Sequence, residues 1–156
     1  MTQEKSQEKN QEKLSAEQAR DLRALAGMII PASAAYDVPG ADDEKIFNDI
    51  LRSVGRDRDD ICHALAHLTT LSGGAFADLD PQRRAEVAAT FRDTGGVPLA
   101  ALVRVVLLCY YRDDRVMRSL GQEPRSPFPK GHVVEQGDWS LLDPVRARPK
   151  MYRRVE

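Results

Sequence analysis

The sequence predicts an all-α protein: a compact bundle of five to six helices carrying a long, extended, proline-rich C-terminal tail. Three observations predict it. Apolar residues recur at i, i+3, i+4 and i+7 through most of the chain after Ser15, and no stretch alternates firmly like a strand. Cap and stop residues bracket each apolar-periodic segment. Five of the nine prolines (Pro124, Pro127, Pro129, Pro144 and Pro149) fall after Gly121, where fixed φ and missing donors favour extended chain and turns. The division is then 1–14, a disordered charged N-terminal segment; 15–121, the helical body; and 122–156, an extended partner-binding tail. Lys130–Glu135 is the single weak strand candidate.

Residues 1–13 repeat Gln-Glu-Lys three times and offer nothing apolar to anchor a helix. Ser15 and Gln18 then form a capping-box pattern. Leu22, Leu25, Ala26 and Ile29 give one apolar face, and Pro31 stops the helix. A loop follows to Pro39-Gly40. Asp42, Asp43 and Glu44 place negative charge where a helix dipole favours it, ahead of the apolar face Ile46, Phe47, Ile50, Leu51 and Val54. Gly55 reads as the glycine just past that helix. A third helix spans 57–71, with Ile61, Leu65, Leu68 and Ser72 inward, and Gly73-Gly74 ends it. Asp80-Pro81 is a strong start signal for a fourth helix with Val87, Ala88 and Phe91 inward. The fifth, from near Pro98 to Tyr111, is apolar on nearly all sides except at Arg104, which predicts a central helix surrounded by the others. Asp113-Asp114 caps a short sixth helix ending at Gly121.

At 156 residues there is room for one core. A net charge of −1 supplies no global attraction to nucleic acid or anionic membrane. The local exception is Pro144–Arg154, with Arg146, Arg148, Lys150, Arg153 and Arg154 and no acid: a solvated basic end or a contact for an acidic surface. Val97–Tyr111 is too short for a typical membrane span. Met1–Lys13 has no apolar signal region, so the expected location is cytoplasmic. Cys62 and Cys109 are too few for a disulfide scaffold; buried free thiols are the first expectation, with a single inter-helix bridge the alternative if the chain is exported.

Catalytic signatures are sparse. His63 and His67 at i and i+4 share a helix face and could meet one metal, but no His-Glu-x-x-His pattern surrounds them, and His132 is the only other histidine. There is no glycine-rich phosphate loop, no Gly-x-Ser-x-Gly elbow and no activating pattern beside either cysteine. No residue is expected to be catalytic, to bind a cofactor or to hold a metal. The alternative is a stand-alone helical metal-binding protein or enzyme using His63 and His67.

The tail is different. It carries the only tryptophan, and Trp139, Leu141, Leu142 and Val145 are large apolar side chains in a segment that cannot form a long helix. Such a segment is ordered by burying those side chains on something, the body or a partner. Trp139, Leu141, Leu142, Arg146 and Tyr152 are the expected partner contacts. Tyr110 and Tyr111 are counted among the partner-binding residues too and, with Asp113, are expected to tie the base of the tail to the body.

Cys109-Tyr110-Tyr111-Arg112-Asp113-Asp114-Arg115-Val116 through Leu120-Gly121, then Pro127-Phe128-Pro129-Lys130-Gly131, then Gly137-Asp138-Trp139-Ser140-Leu141-Leu142-Asp143-Pro144-Val145-Arg146, resembles in that order the family called gluconate 2-dehydrogenase subunit 3. The first helix, with its Ile29-Ile30-Pro31 end, is similar to the family's opening. The resemblance implies a non-catalytic small subunit of a heteromeric dehydrogenase of the glucose-methanol-choline (GMC) type. The large subunit would be a flavoprotein that holds FAD and oxidises a sugar or polyol hydroxyl. A cytochrome or another electron acceptor joins some such complexes. The small subunit would stabilise or mature the flavoprotein. Many members carry a twin-arginine signal that Met1–Lys13 lacks, and a periplasmic location, as in those members, is the alternative to a cytoplasmic one.

Overall fold

In the computed structural model, residues 14–126, 128, 131, 133 and 135–150 are described. The chain divides into two units, Met1–Pro124 and Arg125–Glu156.

The first unit opens on the capping box. The Gln18 backbone N–H donates to Ser15 Oγ at 3.1 Å, and the Ser15 N–H donates to Gln18 Oε1 at 2.9 Å. Two otherwise unpaired donors at the start of α1 (Ala16–Ile29) are thereby satisfied. Leu22, Leu25 and Ala26 are buried. Leu14, expected to belong to the charged N-terminal segment, packs against the core. After Pro31 the loop pinches through a bridge between Ser33 and Val38, with Asp37 at a φ of 50°.

Asp43 caps α2 (Glu44–Ser53), accepting from the Lys45 and Ile46 N–H groups, and Ile46, Phe47 and Ile50 are buried. Gly55 does not end this helix in a left-handed turn. Val54 stays right-handed and Gly55 opens a 3₁₀ turn, Gly55–Asp57, that leads directly into α3 (Arg58–Ser72). Ile61, Ala64, Leu65 and Leu68 of α3 are buried, while Ser72 is half-buried. Gly73 ends it at a φ of 70°, a conformation that costs glycine nothing.

A second 3₁₀ turn, Phe76–Asp78, pushes Phe76 to complete burial. Asp80 caps α4 (Pro81–Thr94), accepting from the Arg83 N–H at 2.9 Å, and Val87 and Phe91 are buried. The chain then turns through 113° into α5 (Gly96–Tyr111). A Cβ on Gly95 would lie 2.5 Å from Leu99 Cβ and 2.7 Å from the Phe91 carbonyl oxygen, so this corner closes only around glycine.

Helix α5 packs most extensively on α3 and α2 and also meets α4 and α6 (Asp114–Ser119). Ala101, Leu102, Val105, Val106, Cys109 and Tyr110 are buried. The helix is nevertheless not surrounded. Val97, Leu107, Leu108 and Tyr111 are exposed along one face, which corrects the sequence expectation. Its four main packing partners leave these side chains exposed among the described residues.

The second unit contains a 3₁₀ turn, Trp139–Leu142, running into a single helical turn, α7 (Asp143–Arg146). Of the extended chain and turns expected for the tail, residues 139–146 take turns. Pro144 sits in the first turn of α7, where its missing N–H has no intrahelical role. The candidate strand Lys130–Glu135 falls largely outside the described residues. Among the described residues the architecture is all-α, and no single helix is long and apolar enough to cross a membrane.

Candidate partner-binding surfaces

The tail turn is built by local bonds. Asp138 caps it, its Oδ1 accepting from the Ser140 N–H at 3.0 Å and the Ser140 hydroxyl at 2.6 Å. Those two bonds hold the Asp138 carboxyl below the usual carboxylate range. Trp139 Nε1 donates to Gln136 Oε1 at 3.0 Å. Arg146 pairs with Asp143 at 3.1 Å within α7.

With polar groups satisfied this way, the apolar ones are left outward. Trp139 is 61% exposed, Leu141 74%, Leu142 40% and Val145 57%. Trp139 and Leu142 stand three residues apart on the 3₁₀ turn, and Val145 lies on the α-helical turn that follows. The exposed apolar side chains are thus carried on two consecutive turns. Tyr152 lies outside the described residues.

The two tyrosines part company. Tyr110 is buried, and burial pushes its hydroxyl pKa up. Tyr111 is exposed and meets the Tyr110 ring edge-on, with centroids 5.3 Å apart. Only Tyr111 presents most of its ring to solvent.

Beside them lies a polar cluster the sequence did not announce. Arg112 donates from Nε to Asp49 and from Nη2 to the Ser53 hydroxyl, both at 2.5 Å, with a longer contact of 3.5 Å to Cys109 Sγ. Asp49 raises the pKa of Arg112 by accepting its hydrogen bond. Burial pushes the Cys109 thiol up. Cys109, Arg112 and Asp49 line a cleft of about 280 Å³ with Lys45, Arg52 and Asp114. Both cysteines are free thiols; Cys109 is buried and Cys62 half-buried.

A second polar cluster joins two helix starts. Arg115 donates to Asp43, the cap of α2, at 2.6 and 3.3 Å, and to Asp113, the cap of α6, at 2.9 and 3.2 Å. Lys45 Nζ stands 3.5 Å from Asp113. Hydrogen bonding from Arg115 holds the Asp43 carboxyl below its ordinary range. Burial works to raise Asp113, but the Arg115 bonds and the nearby cations outweigh it and Asp113 is also lowered. Asp113 is thus bound into the body's own framework. His63 is exposed, and His67 turns its ring edge toward Phe91 at 5.6 Å. Among the described residues no group of three His, Cys, Asp or Glu side chains converges as metal ligands would.

One face of α5 is open. Val97, Ala100, Arg104, Leu107, Leu108 and Tyr111 are all exposed and all fall on one helical stripe. Arg104 is paired with Asp57 at 2.6 Å. The spacing was legible, but not which stripe would lack a covering helix.

No protein-family model, no curated protein and no solved structure matches this chain.

Proposed function

We propose that this chain is a non-catalytic small subunit that binds a larger protein through its tail. The observation that carries the reading is the turn at Trp139–Arg146, whose hydrogen bonds are satisfied locally while Trp139, Leu141 and Val145 stand more than half exposed. Large apolar side chains grouped in solvent mark an interaction surface, and tryptophan is the commonest anchor of such surfaces. Cys109 is a buried free thiol, and the clusters around Arg112 and Arg115 join helices to one another.

The partner is a catalytic GMC-type flavoprotein that carries FAD and oxidises a sugar or polyol. Supporting this is the ordered resemblance of residues 109–146 to the gluconate 2-dehydrogenase subunit 3 family. This chain stabilises or matures the flavoprotein, and a cytochrome or other acceptor takes the electrons. The experiment compares tagged wild-type chain with Leu141→Asp in pull-downs from native cells. A flavin-carrying companion should accompany the wild type and be depleted at least tenfold by the variant. Equal recovery with both would remove the tail from this role.

A further inference from the structure

The tail carries its charges in sections. Asp138 and Asp143 stand at the two ends of the 3₁₀ turn that holds Trp139, Leu141 and Leu142. From Pro144 to Arg154 there is no acid, and Arg146, Arg148, Lys150, Arg153 and Arg154 follow in close succession. Arg146 is paired with Asp143 at 3.1 Å, and the pair is counted as neutral throughout. Four cations then remain downstream of the apolar side chains. Arg148 and Lys150, the described part of that run, are exposed.

The backbone limits the mode of contact. The Leu141 N–H donates to the Asp138 carbonyl at 3.3 Å, the Ala147 N–H to the Asp143 carbonyl at 2.9 Å and the Arg148 N–H to the Val145 carbonyl at 3.2 Å. The Ser140 N–H is taken by the Asp138 side chain. Donors used locally cannot add this stretch to the edge of a partner's sheet. The segment is read by its side chains, an apolar group first and a basic run after it.

The order of the charges limits the occupant. An anionic bilayer is negative everywhere, so seating Trp139 in it would press the neighbouring Asp138 carboxylate against like charge. A phosphate backbone brings the same repulsion, and the turn offers a single aromatic ring for base stacking. A protein surface can be patterned, apolar where the turn sits and acidic only beyond it.

We propose that the basic run at 148–154 lies against a cluster of carboxylates on the larger protein, beside the apolar hollow that receives Trp139 and Leu141. This rests on the reading above that a larger protein binds the tail. Charges at the border of an interface act on the association rate and its salt dependence, while buried anchors govern dissociation.

The experiment separates the full-length chain from the companion that co-purifies with it and remixes the two. Rates are measured for wild type and for the triple variant Arg148→Gln, Arg153→Gln, Arg154→Gln. Salt is set at about 0.1 M and at about 1 M, between which the screening length falls from about 10 Å to about 3 Å. A carbodiimide then couples Lys150 to any carboxylate in contact, and the linked peptides are identified by mass spectrometry. In the triple variant association should slow about tenfold or more at the lower salt, with the difference gone at the higher. Its dissociation rate and melting midpoint should match the wild type, and Lys150 should link to an Asp or Glu of the companion. Equal association rates, or Lys150 linked only within the chain or to a second copy, overturn the acidic surface and leave the small-subunit reading standing. Wild type sedimenting with phosphatidylserine vesicles and the triple variant not, with equal rates toward the companion, assigns the run to a lipid surface and overturns the proposal. Absence of any companion overturns both.

Discussion

Arg115 and Asp43, 72 residues apart in the chain, meet through two hydrogen bonds of 2.6 and 3.3 Å, while the same guanidinium holds Asp113. One side chain thus fastens the N-terminus of α2 to that of α6. Each carboxylate has two tasks, capping its own helix and pairing with Arg115.

Removing that cation leaves two cap carboxylates facing each other, one of them 4% exposed in its side chain. Breaking a buried pair by deleting one partner costs about 3–5 kcal/mol. Arg115 is 40% exposed, and solvent screening reduces the figure to about 2 kcal/mol. Chemical denaturation of Arg115→Met should show this loss. A double-mutant cycle with Asp43→Ala should return a coupling well above that of surface pairs such as Arg83–Glu86.

The same cluster sets an acid limit. Asp43 and Asp113 both ionise below the ordinary carboxylate range when folded. Their contribution is fully present above the unfolded value of about 4 and is lost as pH falls through the folded values. The melting midpoint should therefore change little on this account above about pH 5 and fall progressively below about pH 4. In Asp113→Asn the acid slope should be shallower, though the protein is less stable at neutral pH. An unchanged slope would detach Asp113 from this effect.

Asp21 is 4% exposed, and its Oδ1 accepts from the Ala77 N–H at 2.8 Å. Arg84 holds the same turn from the other side, donating to the Ala77 and Leu79 carbonyls at 2.7 and 2.8 Å. Together they seat Phe76 in the core. Asp21→Ala strands a backbone donor and should cost about 1–3 kcal/mol. Asp21→Asn retains an acceptor oxygen and should cost less by thermal denaturation.

Trp139→Ala should act on assembly alone. Its ring is mostly exposed in the free chain, so the melting midpoint of the isolated protein should be unchanged. As a central anchor it should contribute about 2 kcal/mol or more to binding, roughly a 30-fold loss of affinity. Titration of the purified subunits against each other measures it.

Much of this fold was legible because its signals are local. The Ser15–Gln18 box, the Asp80-Pro81 start and the Asp113 cap each act within three residues, and each is found where the sequence put it. The Arg115–Asp43 and Asp21–Ala77 bonds span 72 and 56 residues. Nothing in periodicity says which helices will meet, so these were invisible. Helix α5 misled for a related reason. Its apolar content registers on every face, whereas exposure depends on how many neighbours arrive. In the tail, Pro144 lacks a donor and opposes a helix interior, yet at the first turn of α7 it favours one.

The proposed function makes this chain the bound small subunit of a flavoprotein. It is tested most directly by purifying the tagged full-length chain from native cells under mild conditions. The eluate's visible spectrum and subunit masses are then recorded. A bound small subunit should bring a stoichiometric companion of flavoenzyme size and the absorbance of oxidised flavin, bleached on adding the sugar or polyol substrate. A colourless 17.4 kDa protein eluting without a companion would contradict it.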